Sequence, residues 1–479
     1  MFIIFYKGDF TMNMNAMNRR RFIGALSATA AGVAVSAHLP TYGMTTENKQ
    51  VSDARQEKEP LRIAVFDIDA TPPVGTLLAY DPMIRSYDLG LRAKGIVLTG
   101  AGQPIVLCAI DWGCISNEGH DAFRQTLAEA AHTMPERVAV HVLHQHDAPI
   151  CDFTAEKMLR DAGMNPGHCE GSFARQLLPR LGKAVEESMK KLQPVTHVGT
   201  GQAPVFEVAS NRRILGSNGK VEAMRYTACA DATLRAKPEG VIDPELTLLS
   251  FWNRESPVAV MTFYATHPQS YYRTGVPNPD FPGIARFFRQ LAVPDALHVH
   301  FNGAGGNIGA GKYNDGSHEN RLALAKRLAD GMEKAWENVK KVPLMPEDVN
   351  WENIPVILPT VYDDVDMEWK PEGMYSSFAL TRFAWAKRQR EGNPIRIGCL
   401  RLGSTRTLFM PGELFVEYQL AAKAIRKDLT VSVAAYGDCG PEYIGTKEAY
   451  TQGGYEPSAS AVTSDAEEIL MDAVRKLLK

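Results

Sequence analysis

The residues best suited to chemistry lie at the end of an apolar run, in the segment His144-Gln-His-Asp147. The β-branched residues that precede them, from Arg137 onward, predict a buried strand that Pro149 must end. Side chains two apart on a strand share one face, so His144 and His146 would point together from the strand's end. Two neutral imidazoles suit a divalent transition metal such as zinc. The alternative is a pair of partly buried, hydrogen-bonded histidines.

Two further candidate ligands stand at the tips of predicted strands. His267 ends the predicted strand 258–266 and is stopped by a proline, which repeats the arrangement at His144. Glu413 follows the predicted strand 405–410 through a Pro-Gly pair. Its alternative role is a carboxylate at the start of the next helix, where the helix dipole stabilises negative charge weakly.

The composition is that of an ordinary globular protein. The 479 residues are 45% hydrophobic and 22% charged, enough for one large domain or two to three smaller ones. The net charge of -3 and the pI near 6.5 leave no basic footprint, so we expect no nucleic-acid partner. Seven cysteines without a CxxC pair predict neither a disulfide scaffold nor a thiolate zinc site. Cys151 and Cys169 could pair in an oxidising compartment.

Residues 1–45 have the pattern of an export signal. The segment Asn18-Arg-Arg-Arg-Phe-Ile-Gly24 opens a short apolar run that ends in small residues, and its paired arginines resemble a bacterial twin-arginine signal. The run is too short to span a bilayer comfortably, so we expect no stable transmembrane anchor. Residues 46–60 are a polar linker. These features predict a periplasmic or secreted protein.

The remaining chain, 61–479, alternates apolar runs with amphipathic segments. A strand 62–68, a hairpin 95–111 and a helix 120–133 precede the histidine-bearing strand. This ββαβ order predicts an α/β fold of mixed sheets covered by helices. Segment 151–167 is predicted to be a polar loop lining a binding site, and 343–371 to be irregular.

A glycine-rich segment, 302–312, follows the strand that carries His298 and His300, which are predicted core or interface residues. The segment has the glycine and lysine spacing of a phosphate loop. Tyr313 stands where the Mg²⁺-binding hydroxyl belongs, however, and no helix follows, which excludes a nucleotide site. Its backbone can still approach a ligand closely.

A second candidate loop, 211–219, is either a solvated turn or part of a substrate site. The glycine-rich late segment 437–456 contains three tyrosines that are costly to expose, so we expect it to fold back over a site. The substrate-binding candidates from these segments are Asn211, Arg212, Asn307 and Gly309.

Taken in order, short motifs over 61–479 resemble the catalytic N-terminal domain of the neutral/alkaline (non-lysosomal) ceramidase family. The matching segments are Asp-Ile-Asp-Ala-Thr-Pro-Pro at 67–73, His-x-His-x-x-Pro at 144–149, Asp-Pro-Glu-Leu at 243–246, Ala-Thr-His-Pro at 265–268, Pro-Asp-Phe-Pro-Gly at 279–283, Gly-Asn-Ile-Gly at 306–309, Pro-Gly-Glu at 411–413, and 443–456. The resemblance implies a single α/β catalytic domain, a small-molecule substrate and a bound zinc ion.

The family's motifs also imply roles for individual residues. By position, the zinc ligands would be His144, His267, Glu413 and Tyr443. In the expected hydrolase, water activated by the metal attacks an amide or ester carbonyl. His146 or Asp147 would then act as base, and Tyr443 or Tyr455 would stabilise the oxyanion.

The chain departs from the family at three places. Gly309 occupies the position of the family's proposed serine nucleophile, and Asp147 replaces a serine after the His-x-His motif. No immunoglobulin-like C-terminal domain is expected. We therefore expect long-chain ceramide to be a poor substrate. Two alternatives stay open: a zinc enzyme acting on glycosidic or other carbohydrate bonds, with Asp147, Asp111 and Glu413 as carboxylates, or a non-catalytic binding protein on the same fold.

Overall fold

The computed structural model describes residues 59–85, 89–362 and 376–479. The predicted export signal, and all but the last two residues of the predicted linker 46–60, lie outside these ranges. Within them, no helix is long and apolar enough to cross a membrane.

The secondary structure alternates between strands and helices along the chain. The strands are β1 (Arg62–Asp69), β2 (Arg92–Thr99), β3 (Ile105–Ile110), β4 (Cys114–Ser116), β5 (Val138–Val142), β6 (Ile150–Asp152), β7 (Gln193–Pro194), β8 (His197–Pro204), β9 (Ser210–Asn211), β10 (Arg213–Leu215), β11 (Val221–Met224), β12 (Glu245–Asn253), β13 (Ser256–Tyr264), β14 (Leu297–Asn302), β15 (Ile308–Gly309), β16 (Lys340–Pro343), β17 (Val349–Val356), β18 (Ile395–Leu402), β19 (Thr405–Phe409), β20 (Glu413–Leu414), β21 (Thr430–Ala434) and β22 (Tyr443–Ile444). The helices are α1 (Asn117–Ala130), α2 (Phe153–Asp161), α3 (Ser172–Met189), α4 (Ala232–Ala236), α5 (Asp280–Ala292), α6 (Glu319–Glu337), α7 (Ser376–Arg390), α8 (Val416–Ile425), α9 (Lys447–Gln452), α10 (Tyr455–Ser458) and α11 (Ala466–Leu477).

Three mixed sheets form the framework, with strand orders β5-β3-β2-β1-β7, β14-β13-β12-β8-β16 and β17-β18-β19-β21. Each contains an antiparallel hairpin, then a helix, then a strand parallel to the second hairpin strand: β2-β3-α1-β5, β12-β13-α5-β14 and β18-β19-α8-β21. The ββαβ order predicted around the first histidine motif therefore recurs. The recurrence lies in topology, so residue identities did not reveal it.

The three sheets share an apolar core between their inner faces, where residues such as Ile96, Met261 and Leu400 belong to one buried cluster. Helices cover the outer faces: α1 and α3 on the first sheet, α5 and α6 on the second, α8 and α11 on the third. Strands buried on both faces require continuous apolar runs, and every residue of β3 is buried. Burying one large apolar side chain stabilises the folded protein by about 1.5–3 kcal/mol.

Two segments predicted to be irregular contain regular secondary structure in their described residues. Segment 151–167 contains the end of β6 and all of α2, and the Asp152 carboxylate caps that helix by accepting the Ala155 N–H at 3.0 Å. Segment 343–371 contains β17, which pairs with β18 along its whole length. The loop prediction was wrong for 153–161, where Lys157, Arg160 and Asp161 lie on the exposed face of α2 and Ala155 and Leu159 are buried. Cys151 and Cys169 are both free and buried.

Candidate metal centre and its cavity

Strand ends from all three sheets meet at one point, where the structure brings His144, His267 and Glu413 together. The Nε2 atoms of His144 and His267 lie 3.3 Å and 3.0 Å from Glu413 Oε2. One nitrogen or oxygen from each residue lies within 4.8 Å of the others, and all three side chains are buried. We call these residues the ligand triad.

His144 reaches the triad through a turn rather than along a strand. Strand β5 ends at Val142, and His144 has a φ of 62°, in the left-handed region that costs a non-glycine residue energy. The predicted strand alternation is therefore wrong at this point. The turn nevertheless leaves the rings of His144 and His146 with centroids 5.5 Å apart. The Gly113 carbonyl lies 2.7 Å from His144 Nδ1 and fixes the ring's orientation.

The glycine-rich loop positions the other two ligands. The Gly305 carbonyl lies 2.7 Å from His267 Nδ1. The Gly306 N–H donates to the Leu414 carbonyl at 2.8 Å, and a Cβ on Gly306 would stand 2.1 Å from the Glu413 carbonyl oxygen. Only glycine permits this close approach of two backbones. The loop thus supports the triad from behind.

The donor set of the triad fits a metal cation. When each ring donates its Nδ1 proton to the facing carbonyl, the Nε2 atom is left to face Glu413. Burial lowers the pKa of His267 to about 4. Burial alone would raise the pKa of Glu413, but the two imidazoles hold it well below its usual value. Glu413 Oε2 has no hydrogen-bond donor among the described residues. Two imidazole nitrogens and one carboxylate oxygen this close together could hold a metal ion, and this set of ligand types suits zinc.

Tyr436 is a buried neighbour of the triad that sequence reasoning missed. Its ring stacks on His144, with centroids 4.7 Å apart and planes 21° apart. Its hydroxyl lies 3.4 Å from His267 Nδ1. A φ of 63° aims the ring after β21 ends, and a backbone turn of this kind leaves no sequence signal in a tyrosine.

The triad opens onto a cavity of about 500 Å³. Its walls combine aromatic side chains with the ion pair between Arg382 and Glu442. The lining residues are Ala79, Tyr80, Gly113, Cys114, His144, His146, Ile150, Phe378, Arg382, Glu413, Glu442, Tyr443, Tyr455, Ser458 and Ala459. Five of the predicted site residues are therefore in or at this cavity.

His146 is placed as a neutral imidazole in the cavity wall. Its ring lies against Tyr80 and Tyr272, with centroids 5.3 Å and 5.0 Å away. Burial, helped by the neighbouring His144 and His267, holds its pKa well below the usual value. His146 Nδ1 has no hydrogen-bond partner in the described part of the chain. The ring therefore stays neutral near neutral pH, which is the form that a general base must have.

Tyr443 and Tyr455 carry the hydroxyl groups predicted for this site. Tyr443 pairs in register with Glu413, through β20 and β22, and its ring stacks on His267 at 6.2 Å. Tyr455 is 46% exposed and lies 5.6 Å from the Tyr443 ring. Burial raises the pKa of Tyr443 well above its usual value and that of Tyr455 to about 12. Both hydroxyls therefore keep their protons at neutral pH and can donate hydrogen bonds.

Solved structures with the same fold are ceramidases. A ceramidase complexed with C2 aligns with a TM-score of 0.64 at 13% identity, covering 88% of this chain and 75% of that one. The neutral ceramidase from Pseudomonas aeruginosa aligns with a TM-score of 0.62 at 16% identity, with the same coverages. The chain has the ceramidase fold. This confirms the predicted α/β class of mixed sheets covered by helices. No family model and no curated protein sequence matches the chain.

Asp147, predicted as a possible base, is directed away from the cavity. Its carboxylate accepts hydrogen bonds from the Thr274 N–H at 3.1 Å and the Thr274 hydroxyl at 2.9 Å. Arg321 lies 4.0 Å from the same carboxylate. A carboxylate engaged in this way has no geometric support as the base.

Arg212 and Asn211, predicted to bind substrate, brace the site instead. Arg212 is buried, bonds Glu456 at 3.0 Å and lies over the Tyr443 ring at 5.3 Å. Asn211 belongs to β9 rather than to a loop, and its amide donates to the Val241 carbonyl at 3.0 Å. Neither side chain lines the cavity as it is bounded by the described residues.

Asn307 and Gly309 are likewise structural in position. The Asn307 amide donates to Glu417 at 2.8 Å, while its oxygen accepts the Val416 N–H at 2.9 Å at the start of α8. A Cβ on Gly309 would stand 2.8 Å from the Tyr226 carbonyl oxygen. The position therefore has no room for a serine side chain without a backbone shift.

Proposed function

We propose that the protein is an exported, zinc-dependent hydrolase that cleaves an amide (N-acyl) or ester bond. The observation that carries the proposal is the convergence of three buried ligand atoms of the ligand triad at the base of a cavity, one of which, Glu413 Oε2, has no hydrogen-bond partner among the described residues. The ceramidase fold supports the same class of reaction. The arginine-rich segment near residue 20 supports export.

Different residues of the cavity would hold the metal ion, accept the proton and stabilise the carbonyl oxygen. The ligand triad would hold the ion, with Tyr443 or Tyr455 as the candidate fourth ligand. A bound zinc ion supplies Lewis acidity toward water and toward a carbonyl oxygen. His146 is the proposed acceptor of a proton from the attacking water, because its neutral ring lines the cavity. The tyrosine that is not a ligand donates a hydrogen bond to the carbonyl oxygen as negative charge develops there.

The cavity favours a small substrate. A volume of about 500 Å³ is ordinary for a small-molecule site and short of what two long lipid chains require. Tyr80 and Phe378 offer aromatic surface to an apolar group, and Arg382 offers polar contact. Gly309 provides no nucleophilic side chain, so water is the simplest nucleophile. Long-chain ceramide is therefore expected to be a poor substrate.

Two of the three carboxylates proposed for a glycosidase are engaged by other residues of the protein. Asp111 is paired with Arg286 at 2.7 Å and 2.6 Å, and Asp147 is held by Thr274. Glycoside hydrolysis needs two carboxyl groups on either side of the scissile bond. Of the proposed three, Glu413 alone lines the cavity.

The test combines metal analysis with a substrate screen. Protein purified without added metal should contain about one zinc per chain, and chelation should abolish turnover. The screen should compare short N-acyl amines, esters, glycosides and long-chain ceramide, and we expect the best rates with the first two. Full activity of metal-free protein would refute the proposal. Tight ligand binding without any turnover would favour the binding-protein alternative.

A further inference from the structure

A second group of metal-binding atoms lies directly behind His144. The sulfur atoms of Cys114 and Cys439 and a ring nitrogen of His144 all lie within 4.8 Å of one another. Cys114 Sγ is 3.5 Å from His144 Nδ1, and the two thiols are hydrogen-bonded neighbours. These residues come from β4, from the turn after β5 and from the segment before β22. Three separate parts of the chain therefore place two sulfurs and one nitrogen together.

This donor set differs in kind from the ligand triad. Thiolate sulfur selects soft cations such as Cu⁺ and Cd²⁺, and an imidazole completes a three-donor site for them. Cys114 also lines the cavity, so an ion has a route to the sulfurs. The two cysteines are too far apart in sequence to form a recognisable motif.

His144 can serve only one of the two groups at a time. With its proton on Nδ1, the ring donates to the Gly113 carbonyl and turns Nε2 toward Glu413. For Nδ1 to bind a metal beside the two sulfurs, the proton must move to Nε2. The Nε2–H then faces Glu413 Oε2, 3.3 Å away, which is ready to accept it. The choice of tautomer thus decides which group His144 completes.

We propose that Cys114, Cys439 and His144 form a thiolate site for a soft metal ion, and that its occupation excludes metal from the ligand triad through the shared His144. The exclusion rests on the proposed function, whereas the thiolate site does not. Binding of Cd²⁺ releases two protons, one from each thiol, as two Cd–S bonds form. The imidazole proton moves from Nδ1 to Nε2 and is retained.

The site is tested with Cd²⁺ alone on reduced, metal-free protein. We expect an ultraviolet sulfur-to-cadmium charge-transfer band that saturates at one ion per chain, because the ligand triad contains no sulfur. Cys439→Ser should abolish the band. Cys229→Ser, at a buried cysteine whose thiol contacts the Asp231 carbonyl, is the matched control and should keep it. A band of wild-type strength in Cys439→Ser, or no band in wild-type protein, would refute the site.

A second measurement does not depend on a variant that folds. The cadmium-113 resonance of the wild-type complex should have the downfield shift typical of thiolate ligands. A shift typical of nitrogen and oxygen ligands alone would place the ion at the triad and overturn the proposal.

The sharing of His144 is tested by competition. One equivalent of Cd²⁺ should weaken zinc binding to wild-type protein at least about tenfold more than to Cys439→Ser, because only wild-type protein can hold His144 at the thiolate site. Zinc transfer to a chromophoric chelator measures both affinities. Equal weakening in the two proteins would refute the sharing. Wild-type protein that shows the band but binds no zinc would instead refute the proposed function.

Discussion

Two buried polar clusters lie beside the same cavity and differ in how completely their atoms are paired. In the ligand triad, two ring nitrogens lie 3.3 Å and 3.0 Å from one carboxylate oxygen, and that oxygen accepts no hydrogen bond from the described residues. In the second cluster, the two oxygens of Glu456 accept hydrogen bonds from Arg212 at 3.0 Å and Arg213 at 2.9 Å. The first cluster is incomplete without a ligand. The second is complete in itself.

The difference separates functional from structural polar groups. Burying a polar atom without a partner costs on the order of 1–3 kcal/mol, and more if it is charged, so such atoms persist where another species completes them. A matched ion pair needs nothing further and holds the chain in place. Arg212 was a plausible substrate-binding residue by sequence, and its pairing with Glu456 explains why it braces Tyr443 instead.

The largest expected effect is on the ligand triad. His267→Ala removes one of three ligands, so zinc should be lost and the rate should fall on the order of a thousandfold or more. Elemental analysis and kcat/KM measure the two effects. His300→Gln, at a buried histidine inside β14, is the control and should retain zinc and activity. If His300→Gln lost zinc and His267→Ala kept it, His300 rather than His267 would be the zinc ligand.

The next effect concerns the matched cluster, which is Glu456 with Arg212 and Arg213, and should appear in the stability of the protein. Glu456→Ala leaves two buried guanidinium groups unpaired, which should lower the free energy of unfolding by about 3–5 kcal/mol. Urea denaturation of the metal-free protein measures this change. Glu448→Ala, at an exposed carboxylate on α9, should change it by about 0.5 kcal/mol or less. A Glu456→Ala protein as stable as wild type would show that the matched cluster is not a brace.

The neighbouring residues His146 and Asp147 should differ in their effect on kcat. His146→Ala should keep zinc but lower kcat about a hundredfold, because the unpartnered imidazole is the proposed proton acceptor. Asp147→Asn should leave kcat within a few-fold of wild type, since the Thr274 contacts occupy that carboxylate. The reverse ranking of the two variants would restore Asp147 as the base.

A further effect is on the pH dependence of stability. Burial raises the pKa of Asp152 to about 7, so the folded protein keeps a proton that the unfolded chain releases above about pH 4. The stability from this group is full below about pH 4 and is lost as pH rises through 7, by up to about 1.4 kcal/mol per pH unit.

Asp152→Asn should remove this contribution and still cap α2. Urea unfolding at several pH values between 4 and 7 measures the slope. Burial also raises the pKa of Glu442 to about 7, so part of the slope should remain. An unchanged slope would mean that Asp152 is ionised in the folded protein.

The sequence predicted the fold class, and its resemblance to the ceramidase family implied that His144, His267 and Glu413 share one site. Apolar runs ended by proline marked the strand tips at His144, His267 and Glu413, and strand tips in mixed sheets open onto clefts. The sequence did not predict the turn through which His144 reaches the site. Its left-handed backbone depends on the Gly113 and Trp112 carbonyls, which belong to a distant turn.

Contacts across the sequence account for what was missed. Nothing in the local pattern pairs Cys114 with Cys439, or places Tyr436 on His144, because each contact depends on how separate sheets dock. The pairing of Arg212 with Glu456 also spans distant segments. A polar residue in a candidate loop therefore has the same local signature whether its partner is a substrate or another side chain.

The distribution of the ligand triad over three sheets also constrains when metal can enter during the life of the chain. A nascent chain that ends before Glu413 offers two histidines and no Gly306–Leu414 contact to hold the third ligand in place. Metal uptake would therefore be a late event that reports the docking of all three sheets. A twin-arginine route carries folded cargo, and on that route the ion would be acquired in the cytoplasm and travel with the protein. The ion content of the exported protein would then reflect the metal pool of the compartment where it folded.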